Sequence, residues 1–231
     1  MKCLTWNLEW KHPSSVAGRA IQQEIARFDP DVMCLTEALV PIIPQGHLIE
    51  ADCDYGYKHD GTRRKVILWS KNPWADIDTL GNDEMPTGRF AAGVTQGIRF
   101  IGVCIPWRDA HVKTGKREKR PWQDHLAYCA GLRRVLQHYS CDPRPICILG
   151  DFNQRIPRST QPERVFDALI ESIPPSFRII TEGFQDSDGR SVIDHIVTSN
   201  NLAAESLTIV PRFTPDGTRL SDHVGIAATI S

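Results

Sequence analysis

The sequence has no CxxC or HxxxH pair, no long apolar run and almost no net charge. The first absence argues against a thiolate or imidazole zinc site, whose ligands usually come in such close pairs. The second argues against a transmembrane helix, which needs ~20 apolar residues. The third, a net charge of −1 from 27 basic and 28 acidic residues, means that no overall field draws the protein to nucleic acid or membrane, so any attraction to phosphate is local. The cysteines number 7, an odd count. Cys3, Cys34, Cys104 and Cys147 sit within apolar runs and read as buried small hydrophobes in a reducing compartment. The start, MKCLTWNLEW, has one lysine and no apolar stretch fit for a signal peptide. The expectation is a soluble cytoplasmic protein with no membrane partner, and nothing calls for an obligate protein partner. No linker, low-complexity tract or tandem repeat interrupts the 231 residues, so one domain over 1–231 is expected.

What is present centres on Pro145-Ile-Cys-Ile-Leu-Gly-Asp151-Phe-Asn153. Its apolar run is short enough for a buried strand, and Gly150 lets the backbone turn as it leaves the sheet. Asp151 and Asn153 are two apart; if the extended conformation continues, they share one side of the chain. A strand's carboxyl end is where open α/β sheets place their chemistry. An Asx turn after a strand accounts for the same pair.

Around it the chain reads as strand 2–7, then a helix from Ser14 or Ser15 to about Phe28 with Val16, Ala20, Ile21 and Ile25 on one face. A strand over 31–36 follows and delivers Glu37. This is a βαβ pattern. Strands are expected at 65–70 and 93–103, separated by turn signals at Asn72-Pro73, Gly81-Asn82 and Pro86-Thr-Gly88. A helix is expected over about 121–139, with Leu126, Cys129, Leu132, Arg133 and Leu136 at near-helical spacing, and another around 163–171. Strands at 177–181, 192–199, 206–210 and 224–230 complete the chain. Each half holds a strand, a helix and further strands, which suits two sheets packed face to face with helices outside.

Polar residues recur at strand ends. Asn7 and Glu9 close the first strand, Glu37 the second; Ile193-Asp194-His195 opens the 192–199 strand, and Ser221-Asp222-His223 precedes the last. Singly, each is an ordinary loop residue or local turn. Together with Asp151 and Asn153 they make five such sites at strand ends, which point to one shared pocket.

TWN near the start, TEA, GDFN, IDHI and a terminal SDH occur in that order from Asn7 to His223. This set resembles the endonuclease/exonuclease/phosphatase superfamily, the group of exonuclease III and deoxyribonuclease I. The resemblance implies a four-layer α/β/β/α sandwich of two mixed β-sheets. It implies a divalent-metal-dependent phosphodiester hydrolase, foremost a nuclease acting on DNA or RNA. Glu37 would be the principal metal ligand, with Asn7 and Asp222 near it. Glu9 stands where many nuclease relatives carry an Asp and would ligate directly or through water. Asp151 would align or deprotonate the attacking water, Asn153 would hold that water or a phosphate oxygen, and His223, oriented by Asp194, would contact the phosphate. Oxygen ligands favour a hard cation, Mg²⁺ or Mn²⁺. Such a cation offsets charge on the phosphoryl oxygens. A histidine beside a carboxylate stays protonated further toward neutral pH and donates a charge-assisted hydrogen bond.

The strand ending Val103-Cys104-Ile105-Pro106-Trp107-Arg108 lacks the tyrosine of exonuclease III-like members and the histidine-leucine pair of the phosphatase branches. Arg108 could stabilise the leaving oxygen; His111 could protonate it if its loop folds inward. The following segment carries Lys113, Lys116, Arg117, Lys119 and Arg120 against Glu118 alone. It is either a solvated loop or a phosphate clamp with Trp107 or Trp122 stacking a base. Arg63-Arg64-Lys65 and Arg155 with Arg158 form two more basic clusters. Other readings are a phosphomonoesterase or phosphodiesterase of a small soluble ester, and a catalytically silent nucleic-acid-binding module.

Overall fold

A computed structural model describes residues 1–57, 61–112, 114 and 118–231. The chain opens with β1 (Lys2–Asn7), α1 (Val16–Phe28) and β2 (Val32–Leu39). Ser15 caps α1 by accepting the Gly18 amide on its Oγ, which satisfies a donor that the first helical turn leaves free. Asp29 ends the helix in the left-handed region. Ile21 and Ile25 are buried, but Val16, expected on their face, is 62% exposed. Nine residues are about two and a half helical turns, so Val16 lies half a turn from Ile25.

Then come β3 (His47–Glu50), β4 (Arg63–Ser70), β5 (Ala75–Asp78), β6 (Phe90–Thr95) and β7 (Ile98–Cys104). The single strand expected over 93–103 is two strands. Gln96 and Gly97 both have positive φ, 51° and 78°, and make the tight hairpin turn between β6 and β7 that suits the strands' own twist. Gln is not a usual residue there, so the turn left little trace in the sequence. The strands β3 and β5, not foreseen, are short and lie at sheet edges, where little alternation is needed.

The second half holds α2 (Gln123–Tyr139), β8 (Ile146–Asp151), α3 (Glu163–Ser172), β9 (Phe177–Ile179), β10 (Asp194–Ser199), β11 (Ala204–Val210) and β12 (Gly225–Ile230). In α2, Cys129, Leu132 and Leu136 are buried as expected, while Arg133 is exposed and Tyr128 and Val135 complete the buried face.

Among the described residues the strands form two six-stranded sheets, β11-β12-β1-β2-β4-β3 and β5-β6-β7-β8-β10-β9. Both are mixed. The parallel pairs are β1 with β2 and β7 with β8, and α1 and α2 make the respective crossovers. Leu4, Trp6, Met33 and Leu35 pack under α1 with Ile21 and Ile25. Val103, Ile146 and Ile148 pack under α2 and α3 with Tyr128, Leu132 and Leu169. Between the sheets lie Cys3, Cys34, Leu68, Phe100, Cys147, Leu149 and Ile196. This is the four-layer sandwich that the sequence led one to expect. All seven cysteines are unpaired, and five are buried. No helix among the described residues is long and apolar enough to cross a membrane.

Strand alternation fixes what happens at the open end of the sandwich. Cys3 in β1 and Cys147 and Leu149 in β8 face the other sheet. Asn7 and Asp151 follow in the same parity, as Asp194 does ahead of Ile196. Where apolar contact between the sheets ends, polar side chains take the inward positions.

Candidate active site

Asp151 lies opposite Asp194 in the antiparallel β8–β10 pair, and both are nearly inaccessible to solvent. Asn7 reaches across from the other sheet and donates from Nδ2 to Asp151 Oδ2 at 3.1 Å. Asn153 donates from its own Nδ2 to the same oxygen at 3.0 Å and to the Ile105 carbonyl at 2.8 Å. Its backbone N–H donates to Asp151 Oδ1 at 2.9 Å. The extended course expected through 151–153 does not continue, because Asn153 has φ of +52°, a conformation that Asn tolerates. The two residues meet through an Asx turn, so the local turn is itself the device that aims the Asp151 carboxylate.

Glu37 also has positive φ, 47°. The β2–β4 register stays regular across this point, Thr36↔Val66 and Ala38↔Arg64, so Glu37 stands opposite Lys65 within the strand. Its Oε1 lies 2.6 Å from Lys65 Nζ. On the facing loop, Ser221 Oγ donates to the Asn7 carbonyl at 2.6 Å and accepts the His223 amide at 3.1 Å. That hydroxyl stitches the end of β1 to the segment carrying Asp222 and His223.

His223 Nδ1 lies 2.5 Å from Asp194 Oδ2. Burial presses this imidazole toward its neutral form, but the charges of Asp194, Asp151 and Asp222 prevail and lift its pKa to about 10. Burial raises Asp194 while His223 opposes it. We therefore read the two as an imidazolium–carboxylate pair at neutral pH. Burial also raises Asp151 to about 7, opposed by His223 and reinforced by Asp194 and Glu37. A carboxyl group poised there can take a proton from water near neutrality.

Ligand atoms of Asp151, Asp194 and His223 lie within 4.8 Å of one another. His223 gives its Nδ1 proton to Asp194, so it suits an anion better than a cation. The carboxylates suit a cation: burial raises two of them, and Asp194 Oδ1 is buried without a hydrogen-bond partner. An all-oxygen donor set is that of a hard ion.

The other expected site residues are placed as follows. The Glu9 carboxylate is held by Lys11 at 3.0 Å and Arg219 at 2.9 Å, and it accepts the Asp222 amide at 3.2 Å. It thus anchors the Asp222 backbone and has two cations already. The Asp222 side chain is half exposed, with Oδ1 3.9 Å from His223 Nε2. Trp107 and Arg108 are exposed beyond the end of β7, and Arg155 is exposed just past Asn153. His111 stacks on Tyr57 with ring centroids 4.7 Å apart, and its Nε2 lies 3.6 Å from Asp124 Oδ2. Burial, then the Arg89 charge, lowers its pKa. It is tied to α2 and is no free proton donor. Lys113, Lys116 and Arg117 lie outside the described residues.

The 63–65 cluster is not a free phosphate clamp. Arg64 pairs with Glu50 at 2.9 Å, Lys65 pairs with Glu37, and Arg63 lies over the Trp10 ring. Sequence reasoning missed this use of Lys65, the stitching by Ser221 and the cation Arg89. Arg89 is fully buried beside Cys104, with Nε and Nη2 lacking hydrogen-bond partners. Ser221 was visible in the SDH motif; Arg89 carries no sequence signal.

The profile of the Endonuclease/Exonuclease/phosphatase family matches residues 4–223. Among curated proteins, none matches. Solved structures share the fold over the whole chain. A 3′ phosphatase, NExo, from Neisseria, solved with product DNA hairpin, is 20% identical with a TM-score of 0.71, covering 100% of this chain and 99% of that one. An AP endonuclease from Archaeoglobus fulgidus is 17% identical with a TM-score of 0.73 and the same coverage, 100% and 99%. An endonuclease/exonuclease/phosphatase from Bacteroides vulgatus is 14% identical with a TM-score of 0.68, covering 100% and 98%.

Proposed function

The chain belongs to the endonuclease/exonuclease/phosphatase family, and on that premise we propose that it is a divalent-metal-dependent nuclease that hydrolyses DNA or RNA phosphodiesters by in-line attack of water. The observation that carries this reading is the Asp194–His223 pair at 2.5 Å beside Asp151. It sets a fixed positive donor and a carboxyl group poised near neutrality at one end of the sandwich. Asp151 takes the proton of the attacking water, its orientation held by Asn7 and Asn153. His223 donates to a phosphoryl oxygen, and Asp194 keeps it charged and aimed. Glu37, Asp151 and Asn7 would supply the oxygen donors for Mg²⁺ or Mn²⁺, with Asp222 nearby, while Glu9 positions the Asp222 backbone. A bound divalent ion would offset negative charge on the phosphoryl group and the leaving oxygen. Trp107, Arg108 and Arg155 flank the substrate, and His111 shapes the loop beside it.

A phosphomonoesterase is the second reading, because the same residues serve a terminal phosphate. The Neisseria protein is described both as a 3′ phosphatase and as a 3′–5′ exonuclease. Purified protein incubated with plasmid, single-stranded DNA, RNA, a 3′-phosphorylated oligonucleotide and para-nitrophenyl phosphates, each with Mg²⁺, Mn²⁺ or EDTA, separates these. We expect metal-dependent chain cleavage. Release of terminal phosphate alone would select the second reading, and no turnover with any ion would overturn both.

A further inference from the structure

Beside Asn153 an open groove of about 660 Å³ runs between the turn before α2 and the loop leading into α3. Its walls carry Arg108, Arg120, Arg155 and Arg164, with Trp122 among them and no carboxylate. Several arginines elsewhere are paired with carboxylates: Arg144 with Asp142 and Asp76, Arg212 with Asp186 and Asp188, Arg219 with Glu9. In the groove, Arg120, Arg155 and Arg164 enter no ion pair among the described residues, and Arg108 has only its own neighbour Asp109 at 3.7 Å. Four guanidinium groups around one concavity make a positive field that favours an anion with several charges. Their planar, forked donors match phosphate. Trp122 is half buried and meets His125 edge-on, with an interplanar angle of 89°. It can offer a ring surface to a base, as sequence-tolerant strand binders do.

We propose that this groove grips a single-stranded nucleotide chain leading away from the scissile phosphate, with Arg120, Arg155 and Arg164 on its phosphates and Trp122 against a base. The proposal rests on the hydrolase reading only for where the chain begins, at Asn153. The groove's volume is that of a site for a drug-sized ligand and holds about one or two nucleotides. A lone strand can lower both phosphates and bases into such a concavity. A duplex keeps its bases stacked inside and presents phosphates on a convex surface.

The test uses the full chain in EDTA, so that binding is read without turnover. Fluorescent oligothymidylates of about two to ten nucleotides are titrated at several salt concentrations against the parent and the Arg120→Ala/Arg164→Ala variant. Both positions are exposed, and thermal unfolding confirms the fold. We expect about tenfold weaker binding by the variant and a salt slope smaller by about 1.4, from two lost phosphate contacts on a single strand. We also expect the parent's affinity to rise with the first added nucleotides and then level off. With metal restored, kcat/KM for an oligonucleotide should fall relative to that for a para-nitrophenyl ester.

Equal affinity and slope for parent and variant would overturn the groove, and continued ester turnover would leave the hydrolase reading standing. Thymidine monophosphate or inorganic polyphosphate binding as tightly as the oligonucleotide would overturn the strand assignment. So would blunt duplex binding as tightly as a single strand, with the same loss in the variant. Arginine-dependent strand binding without any hydrolysis would uphold the groove and overturn the hydrolase reading.

Discussion

Replacing Asp194 with asparagine isolates the charge that keeps His223 protonated. Against the burial that lowers it, His223 is lifted from 6.5 to about 10, a net preference of about 5 kcal/mol for the imidazolium. Asp194 stands first among the groups that raise it, and its carboxylate is 2.5 Å from Nδ1. Asparagine keeps a hydrogen-bonding side chain of the same shape but no charge. Burial then meets a weaker opponent, and the pKa should fall to about 7. At a pH of about 8 the imidazolium population drops from nearly complete to about a tenth, and a charged donor to the phosphoryl group is lost. With about a tenth still charged, the rate at that pH should fall about tenfold, toward the ~10²–10³ in kcat that complete removal of such a donor typically costs. The assay is the pH–rate profile of ester hydrolysis, with imidazole NMR titration of parent and variant. The parent's alkaline limb should lie near 10 and the variant's near 7. The parent's raised pKa is also a stability statement. That stability is fully present below 6.5 and is lost as pH rises through about 10, so the parent should lose melting temperature over this window and the variant much less. An alkaline limb above about 9 in the variant, or a rate loss under about fivefold, would refute the reasoning.

Three further outcomes follow from the same coordinates. Gly150→Ala puts a Cβ 2.0 Å from the Val103 carbonyl oxygen at a φ of +148°, so β7 and β8 must part. Urea unfolding should show more than about 3 kcal/mol lost, against about 1 kcal/mol for Gly183→Ala, which meets nothing within 4 Å but has a φ of +72°. Burial lowers both His125 and His195 to about 4. Their neutral forms give stability that is present above 6.5 and lost as pH falls toward 4, about 3 kcal/mol each at the acid end. Asp151, raised to about 7, acts in the opposite sense, so each histidine's share is read as the flatter acid dependence of a His125→Gln or His195→Gln variant in urea midpoints. Mg²⁺ or Mn²⁺ at a hundredfold its Kd should stabilise the parent by about 2.7 kcal/mol and Glu37→Gln much less; equal melting shifts would remove Glu37 from the ion's ligands.

The candidate site was legible because it is written in local context. Asn7, Asp151 and Asp194 stand at strand ends and His223 just before β12, readable from short apolar runs, whereas Glu37, expected at a strand end, lies inside β2, which runs on to Leu39. Less legible was everything that depends on a partner far along the chain. Lys65 looked like one of three basic residues in a row, yet its ammonium meets Glu37, 28 residues earlier. His195 adjoins Asp194 in sequence, but alternation turns it to the other face, where Thr181 and the Gln154 carbonyl hold it in the core. The basic segment 111–122, with Arg120, and the pair Arg155 and Arg158 drew notice by their charge, but Arg164 did not, and only the fold gathers Arg120, Arg155 and Arg164 around one groove.

The amino-acid order alone determined most of the succession of strands and helices, the edge strands β3 and β5 excepted, the placing of polar residues at strand ends, and the family. Those properties follow from side-chain periods of two and 3.6 residues and from motifs only a few residues long. The tertiary structure alone decided which charges cancel and which stay free, where Gln96-Gly97 folds one expected strand into two, and that Asn153 turns back on Asp151. Charge pairing and backbone sign depend on what lies a few ångströms away in space, and that neighbourhood does not exist until the two sheets have closed on each other.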